Sequence, residues 1–177
     1  MAQTVTISGS ATAAALISEL AVQLAAMLAR RDELEKEIEH SFFGLPEAAI
    51  LRSLPAIGPR LGACIAVEIG SITRFRTPGH LAAYAGLGPT PWKSGTSINA
   101  HKPSRFGNHR LKNALFLAAF ASLRHEPSRT YYDRKRAQGK RHNQAVLCLA
   151  RRRVDVLHAM LSQHVPYRAP VPVASAA

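Results

Sequence analysis

The chain has 177 residues, 47% of them apolar, which suits one ordinary domain plus a helical arm and excludes both a large multidomain enzyme and global disorder. No apolar run reads as a membrane span, and none follows a basic leader as a signal peptide would. The formal charge is +12, with residues 1–50 at −4, residues 51–101 at +4 and residues 102–177 at +12, so the C-terminal part is expected to face phosphate, most commonly nucleic acid in the cytoplasm.

Residues 1–9 read as a disordered polar tail. From Ser10 to about His40 there is no Gly or Pro, and the arm as a whole covers 10–43. Ile17, Leu20, Leu24, Met27, Arg31, Leu34 and Ile38 step by 3 and 4 in turn, which is a heptad seam with one polar interruption. A seam of this kind needs a helical partner, either a second copy of the chain or a later helix of the same chain, and homo-oligomerisation through a coiled coil is the expected use. The acids Asp32, Glu33, Glu35, Glu37 and Glu39 around it read as solvated helix faces and not as metal ligands.

A second region, 46–168, is expected to be a small helical domain. A short helix at 47–53 leads to Leu54-Pro55-Ala56-Ile57-Gly58-Pro59 and an apolar run to Ile69. A tight turn at Gly58 with Pro59 at the first helical position launches a helix, so 51–69 reads as a helix-hairpin-helix. Thr77-Pro78 opens a short helix through Ala85. Residues 86–107, rich in Gly and Pro, form the longest stretch without helical signal, and loops of that length are usually functional. Helices follow at about 108–124, from Pro127-Ser128 to Gly139, and at about 143–164, before a Pro/Ala tail at 169–177, also expected to be disordered. The fold class is mainly α, with at most a short hairpin in the long loop. Cys64 and Cys148 lie in apolar helical patterns and read as buried thiols in a reducing compartment.

Four groups of residues could carry chemistry. The hairpin turn offers backbone N–H groups and a helix N-terminus at Gly58 to one phosphate, with Arg52 and Arg60 beside it. In the long loop, Ser94-Gly95 leaves a hydroxyl accessible next to Lys93, although Ser-Gly alone is usually only a turn. Lys102, Arg105, His109, Arg110 and Lys112 crowd the start of a helix, where cations oppose the helix dipole at a cost of roughly 0.3–1 kcal/mol each. An external phosphate reverses that sign, and Asn108 sits among them. Lastly, Arg134-Lys135-Arg136, Lys140-Arg141 and Arg151-Arg152-Arg153 cover too much of a helical turn for all to face a core. The eight histidines show no His-x-x-x-His or Cys-paired spacing, so no metal site is assigned.

Taken in order, "LRSLPAIGPRLGACIAVEIG", "RFRTPGHLAAYAGLGPTPWKSGTS", "SRFGNHRLKNALFLAAFASL" and "YYDRKRAQGKRHNQAVLCLARRRVDVLHAML" resemble the C-terminal domain of a family of bacterial insertion-sequence transposases. That family pairs an N-terminal four-acid (DEDD) resolvase-like domain with a coiled coil and a serine-bearing transposase domain. The resemblance runs from about Leu51 to Tyr167. It implies that Ser94 attacks a DNA phosphate and holds the cut strand, and that the partners are DNA and, as in some members, a guide RNA. It also implies a cytoplasmic, nucleoid-associated setting and recombination as the outcome. Two departures stand out. The hairpin word usually reads Pro-Gly-Ile-Gly and here has Ala56, and no four-acid domain precedes the arm. The expectation is therefore a truncated or split element that needs its metal-binding half in trans, with no cofactor in this chain and Mg²⁺ only on that half. The competing expectations are a non-catalytic regulatory remnant acting through its coiled coil, and a helical oligomerisation protein with an incidental basic surface.

Overall fold

The computed structural model describes residues 9–94, 98–103 and 106–169, and for the segment 89–103 it gives the backbone path. The two expected terminal tails lie almost wholly outside these residues.

Helix α1, Ser10–Phe43, is one uninterrupted rod of 34 residues, as expected of an alanine-rich stretch without Gly or Pro. It stops where Gly44 hydrogen-bonds back to His40 and Pro46 follows. Phe42 is its only buried side chain. The ring lies on Gly62, where a β-carbon would approach it to 2.4 Å, so that glycine is what lets α1 dock. The heptad seam above it is exposed, with Leu20 at 60% and Leu24 at 57%. One expectation needs correcting. By length and composition α1 does qualify as a membrane span, because its many alanines dilute Glu19 and Gln23, which hydrogen-bond to each other on the surface.

Helices α2, Ala48–Ser53, and α3, Pro59–Ile69, are joined by the turn 54–58. Pro59 fills the first turn of α3, whose buried residues Gly62, Ile65 and Ile69 follow helical spacing, and Gly70 at φ 62 ends it. After a 3-10 turn at Ile72–Arg74, Thr77 caps α4, Pro78–Tyr84, by accepting from His80 N–H at 3.3 Å. Strands β1, Pro89–Ser94, and β2, Ile98–Pro103, pair antiparallel from Pro89↔Pro103 out to Ser94↔Ile98. Helices α5, His109–Ala121, α6, Glu126–Ala137, and α7, His142–Gln163, complete the fold, with a 3-10 turn at Ser122–Arg124.

Helix α7 runs through the centre. Val154, Leu157 and Leu161 join Leu51, Ile65, Leu81, Leu111 and Leu115 in the main core, and Val146 and Leu149 form a smaller cluster with Ala119 beside Tyr131 and Tyr132. Buried His158 donates from Nε2 to the Phe75 carbonyl at 2.8 Å and so pins α7 to the segment before α4. A backbone carbonyl only accepts, which fixes the proton on Nε2.

Candidate nucleic-acid interface

The α2–α3 turn is held in a constrained shape. Ala56 adopts φ 65, in the left-handed region that favours glycine. The position where the family word carries glycine is thus one whose backbone asks for it. Gly58 differs: its φ of −86 suits any residue, and a β-carbon there would meet nothing within 4 Å. Neither conformation nor packing requires glycine at 58. What the bare residue leaves is open access to the start of α3, where the first N–H groups have no intrahelical acceptor. Arg153 anchors the turn from behind. It is a buried member of the 151–153 run, and its guanidinium donates to the Pro55 carbonyl. Burial pulls its pKa down to about 10 against an opposing effect of Tyr167, which still leaves a cation at neutral pH. The two arginines expected beside the turn lean toward the arm instead: Arg52 stacks on Phe43 at 4.7 Å and Arg60 pairs with Glu35 at 2.9 Å.

The long loop is an antiparallel hairpin pinched at its base. Gly86 at φ 65 lies against the Phe106 carbonyl, 2.4 Å from where its β-carbon would be. Gly107 at φ 108 lies against Gly86 N and Tyr84 O, at 2.6 and 2.8 Å on the same measure. The chain therefore leaves and rejoins the helices at one glycine-on-glycine crossing. The strands pair chiefly with each other. Ser94 is the last residue of β1, five residues beyond Pro89, so its backbone lies roughly 17 Å out along the strand pair at the usual strand rise. Lys93 and Lys102 are in the paired strands, and their side chains, like that of Ser94, are outside the described atoms. Arg105 lies outside the described residues.

At the start of α5, Asn108 is occupied within the fold. Its Oδ1 accepts from Leu111 N–H at 3.0 Å, and its Nδ2 donates to Glu68 at 2.6 Å and to the Tyr84 hydroxyl at 3.1 Å. It is an N-cap tying α3 and α4 to α5, a role signalled by an Asn directly before a helical pattern. His109 and Arg110 are exposed on the same turn, with Arg110 3.9 Å from Glu68. Lys112 is half-buried and passes the pinch at Gly86.

The cations of α6 and α7 divide into two groups. Arg129 pairs with Asp133 and Arg151 with Asp155. Arg134, Lys135, Arg136, Lys140, Arg141 and Arg152 form no ion pair among the described residues. Lys135 donates to Gln138, and Arg136 to the Lys140 carbonyl. Arg134, Lys135 and Arg152 lie 5.1, 5.6 and 4.8 Å from the centre of the Tyr131 ring. Sequence reasoning missed Tyr131, and it named Arg152 only as one of the Arg151–Arg153 run, without the ring that it faces. The positions 131, 134 and 135 share one helix face and were readable together, whereas Arg152 arrives only by the packing of α7 on α6.

Glu68 is engaged by Arg110 and Asn108, Asp133 by Arg129 and Asp155 by Arg151, and among the described residues no three metal-ligating groups converge. Elsewhere, an apolar groove of about 810 Å³ lies between α1, α3 and α5, lined by Leu34, Ile38, Leu61, Val67 and Leu117.

Residues 48–133 match the Transposase IS116/IS110/IS902 family. Over 171 residues the chain is 45% identical to an uncharacterized protein of insertion element IS110 from Streptomyces coelicolor, covering 96% of this chain and 42% of that one. It is 42% identical over 173 residues to an uncharacterized protein of insertion element IS900 from Mycobacterium paratuberculosis, covering 96% and 43%. A pilin gene-inverting protein of Moraxella bovis is 31% identical over 123 residues, covering 68% and 38%. The chain thus spans about two fifths of the length of these relatives, and its residues 48–133 are similar to the IS116/IS110/IS902 family of transposases.

Proposed function

We propose that the chain is a DNA-binding and serine-bearing part of a transposition machinery. The observation that carries this reading is the group of un-neutralised cations on α6 and α7 in a chain whose residues 48–133 match a transposase family. Cations without carboxylate partners attract the phosphate backbone, and that contact is independent of base sequence. The open turn at Gly58, read as a helix-hairpin-helix, would add a backbone contact, and His109 and Arg110 would flank the hairpin base. Ser94, carried out on the hairpin, would reach the strand itself. In the chemical step its Oγ gives up a proton and bonds to phosphorus, one ester P–O bond of the strand breaks, and the released sugar oxygen takes a proton. Attack by another strand's hydroxyl reverses the exchange and completes joining. The metal chemistry expected of the family belongs to residues other than those described here, and no step above runs through it.

The test is complementation. Take a full-length relative whose own serine is replaced by alanine, and supply this chain, Mg²⁺ and element-end DNA. Strand joining is expected with the parent chain and not with Ser94→Ala. Equal joining by both sinks the nucleophile role. The exposed α1 seam favours a second reading, in which the chain acts on an intact relative by coiled-coil pairing without chemistry of its own. In that case the parent would lower joining by an unaltered relative, and Ser94→Ala would lower it as much.

A further inference from the structure

We infer that Tyr131, Arg134, Lys135 and Arg152 form a clamp for a single backbone phosphate of a nucleic acid, with Tyr131 as its organising ring and Arg152 as its principal contact. The inference rests on the DNA-binding reading above and goes further by naming a site within it. Three cations approach one ring, from positions 134 and 135 of α6 and 152 of α7. No two can be more than about 11 Å apart, which is on the scale of the Debye length of about 8 Å at physiological salt, so they repel one another.

The ring offsets that repulsion only in part, since a cation–π contact is weak where water reaches it. Neither nearby acid pairs with the three: Asp133 is taken by Arg129 and Asp155 by Arg151. An anion placed among the three reverses the balance, because each cation then gains a charge-assisted bond. The ring is also fixed from below. Tyr131 packs half-buried against the cluster of Val146 and Leu149, and its neighbour Tyr132 hydrogen-bonds His142 at 2.8 Å across the start of α7. A rigid plane limits the directions that two long guanidinium stems adopt, so less order has to be imposed when the phosphate arrives.

Arg152 also has a defined place. The three consecutive arginines of α7 take three directions: Arg151 to Asp155, Arg152 to the Tyr131 ring and Arg153 to the Pro55 carbonyl of the α2–α3 turn. Neighbouring α7 residues thus serve the clamp and the Gly58 turn, so one helix sets the position of both candidate phosphate contacts.

The test uses the full chain and a mixed-sequence duplex, with affinity measured by anisotropy across a series of NaCl concentrations. Arg152→Gln is expected to reduce the slope of log affinity against log salt by about one, as loss of a single phosphate contact does. Tyr131→Leu, which keeps all three cations, is expected to weaken binding several-fold. Arg151→Gln removes an equal charge that is already paired and is expected to leave the slope alone. An unchanged slope in Arg152→Gln, or equal losses in Arg151→Gln and Arg152→Gln, overturns the clamp while leaving the DNA-binding reading intact. A second measurement separates the two: titration with inorganic pyrophosphate, followed by NMR of the Tyr131 ring and the arginine Nε–H signals. If the duplex does not bind but pyrophosphate shifts Tyr131 and Arg152 together, the anion site stands and the DNA reading falls. If neither ligand produces an effect at these residues, the clamp is wrong.

Discussion

At the scale of single residues, two backbone positions make opposite predictions. Ala56 has a left-handed conformation that costs an L-residue about 1–2 kcal/mol, and glycine gives back about 0.5–1 kcal/mol of that in chain entropy. Ala56→Gly is therefore expected to raise stability by roughly 0.5–1 kcal/mol, read as a higher urea midpoint with an unchanged slope. Gly107 has no such latitude. Its φ of 108 and the backbone atoms at 2.6 and 2.8 Å leave no room for a methyl group and nothing flexible to move aside. Gly107→Ala is expected to cost upwards of about 2 kcal/mol in thermal or urea unfolding and to expose the hairpin to limited proteolysis. A normal midpoint and an intact hairpin would refute the pinch as described. Asn108 shows the limit of reading charge from a sequence. It stands among cations and suggests a ligand contact, yet its polar atoms serve Glu68, Tyr84 and Leu111.

Among the elements, α1 is the one whose surface is out of balance. Its apolar stripe is open along most of its length, and its lower end, at Leu34 and Ile38, runs straight into the groove between α3 and α5. A second helix laid on the seam would bury both. The expected outcome is self-association, seen as more than one chain mass by sedimentation. Leu24→Glu should shift the chain to monomer, and at dilutions where the parent is monomeric too the melting temperatures should agree, because Leu24 is 57% exposed and touches no core. Flotation of the parent with lipid vesicles, in place of self-association, would point to a membrane role for the same stripe. The elements themselves were largely readable. α1, α3, α5 and α7 appear where the 3-4 spacing and the Gly and Pro punctuation put them, to within a few residues. The hairpin was expected only at most, because a strand of six residues carrying two prolines has weak local signal. The inward turn of Arg153 and the lean of Arg52 and Arg60 toward α1 were not readable, since partners 98, 9 and 25 residues away in sequence are fixed by packing alone.

For the molecule as a whole, charge is sorted along the chain. The acidic surplus lies before residue 51 and the basic surplus after it. The arm thus presents a surface that phosphate avoids, and α6 with the start of α7 one that it seeks. With about six free cations engaged, raising NaCl from about 50 to about 200 mM should weaken duplex binding about a thousandfold. Anisotropy titrations at the two salts check this, and a loss below about tenfold would mean that few of these cations meet the backbone. The candidate site was legible as composition, in that a basic C-terminal half was plain from the start. Its sorting into paired and unpaired cations was not, because neutralisation depends on which carboxylate each arginine reaches after folding.

The glycine crossing at the hairpin base separates two kinds of change. Everything inboard of residues 86 and 107 is interlocked, while outboard of them the strands answer mainly to each other. Two residues added to each strand would keep every side chain on its present face and carry Ser94 about 7 Å further out. The reach of the terminal hydroxyl is thus a length that can be rewritten in small increments while the helices stay as they are, and hairpins from relatives are natural transplants at that seam.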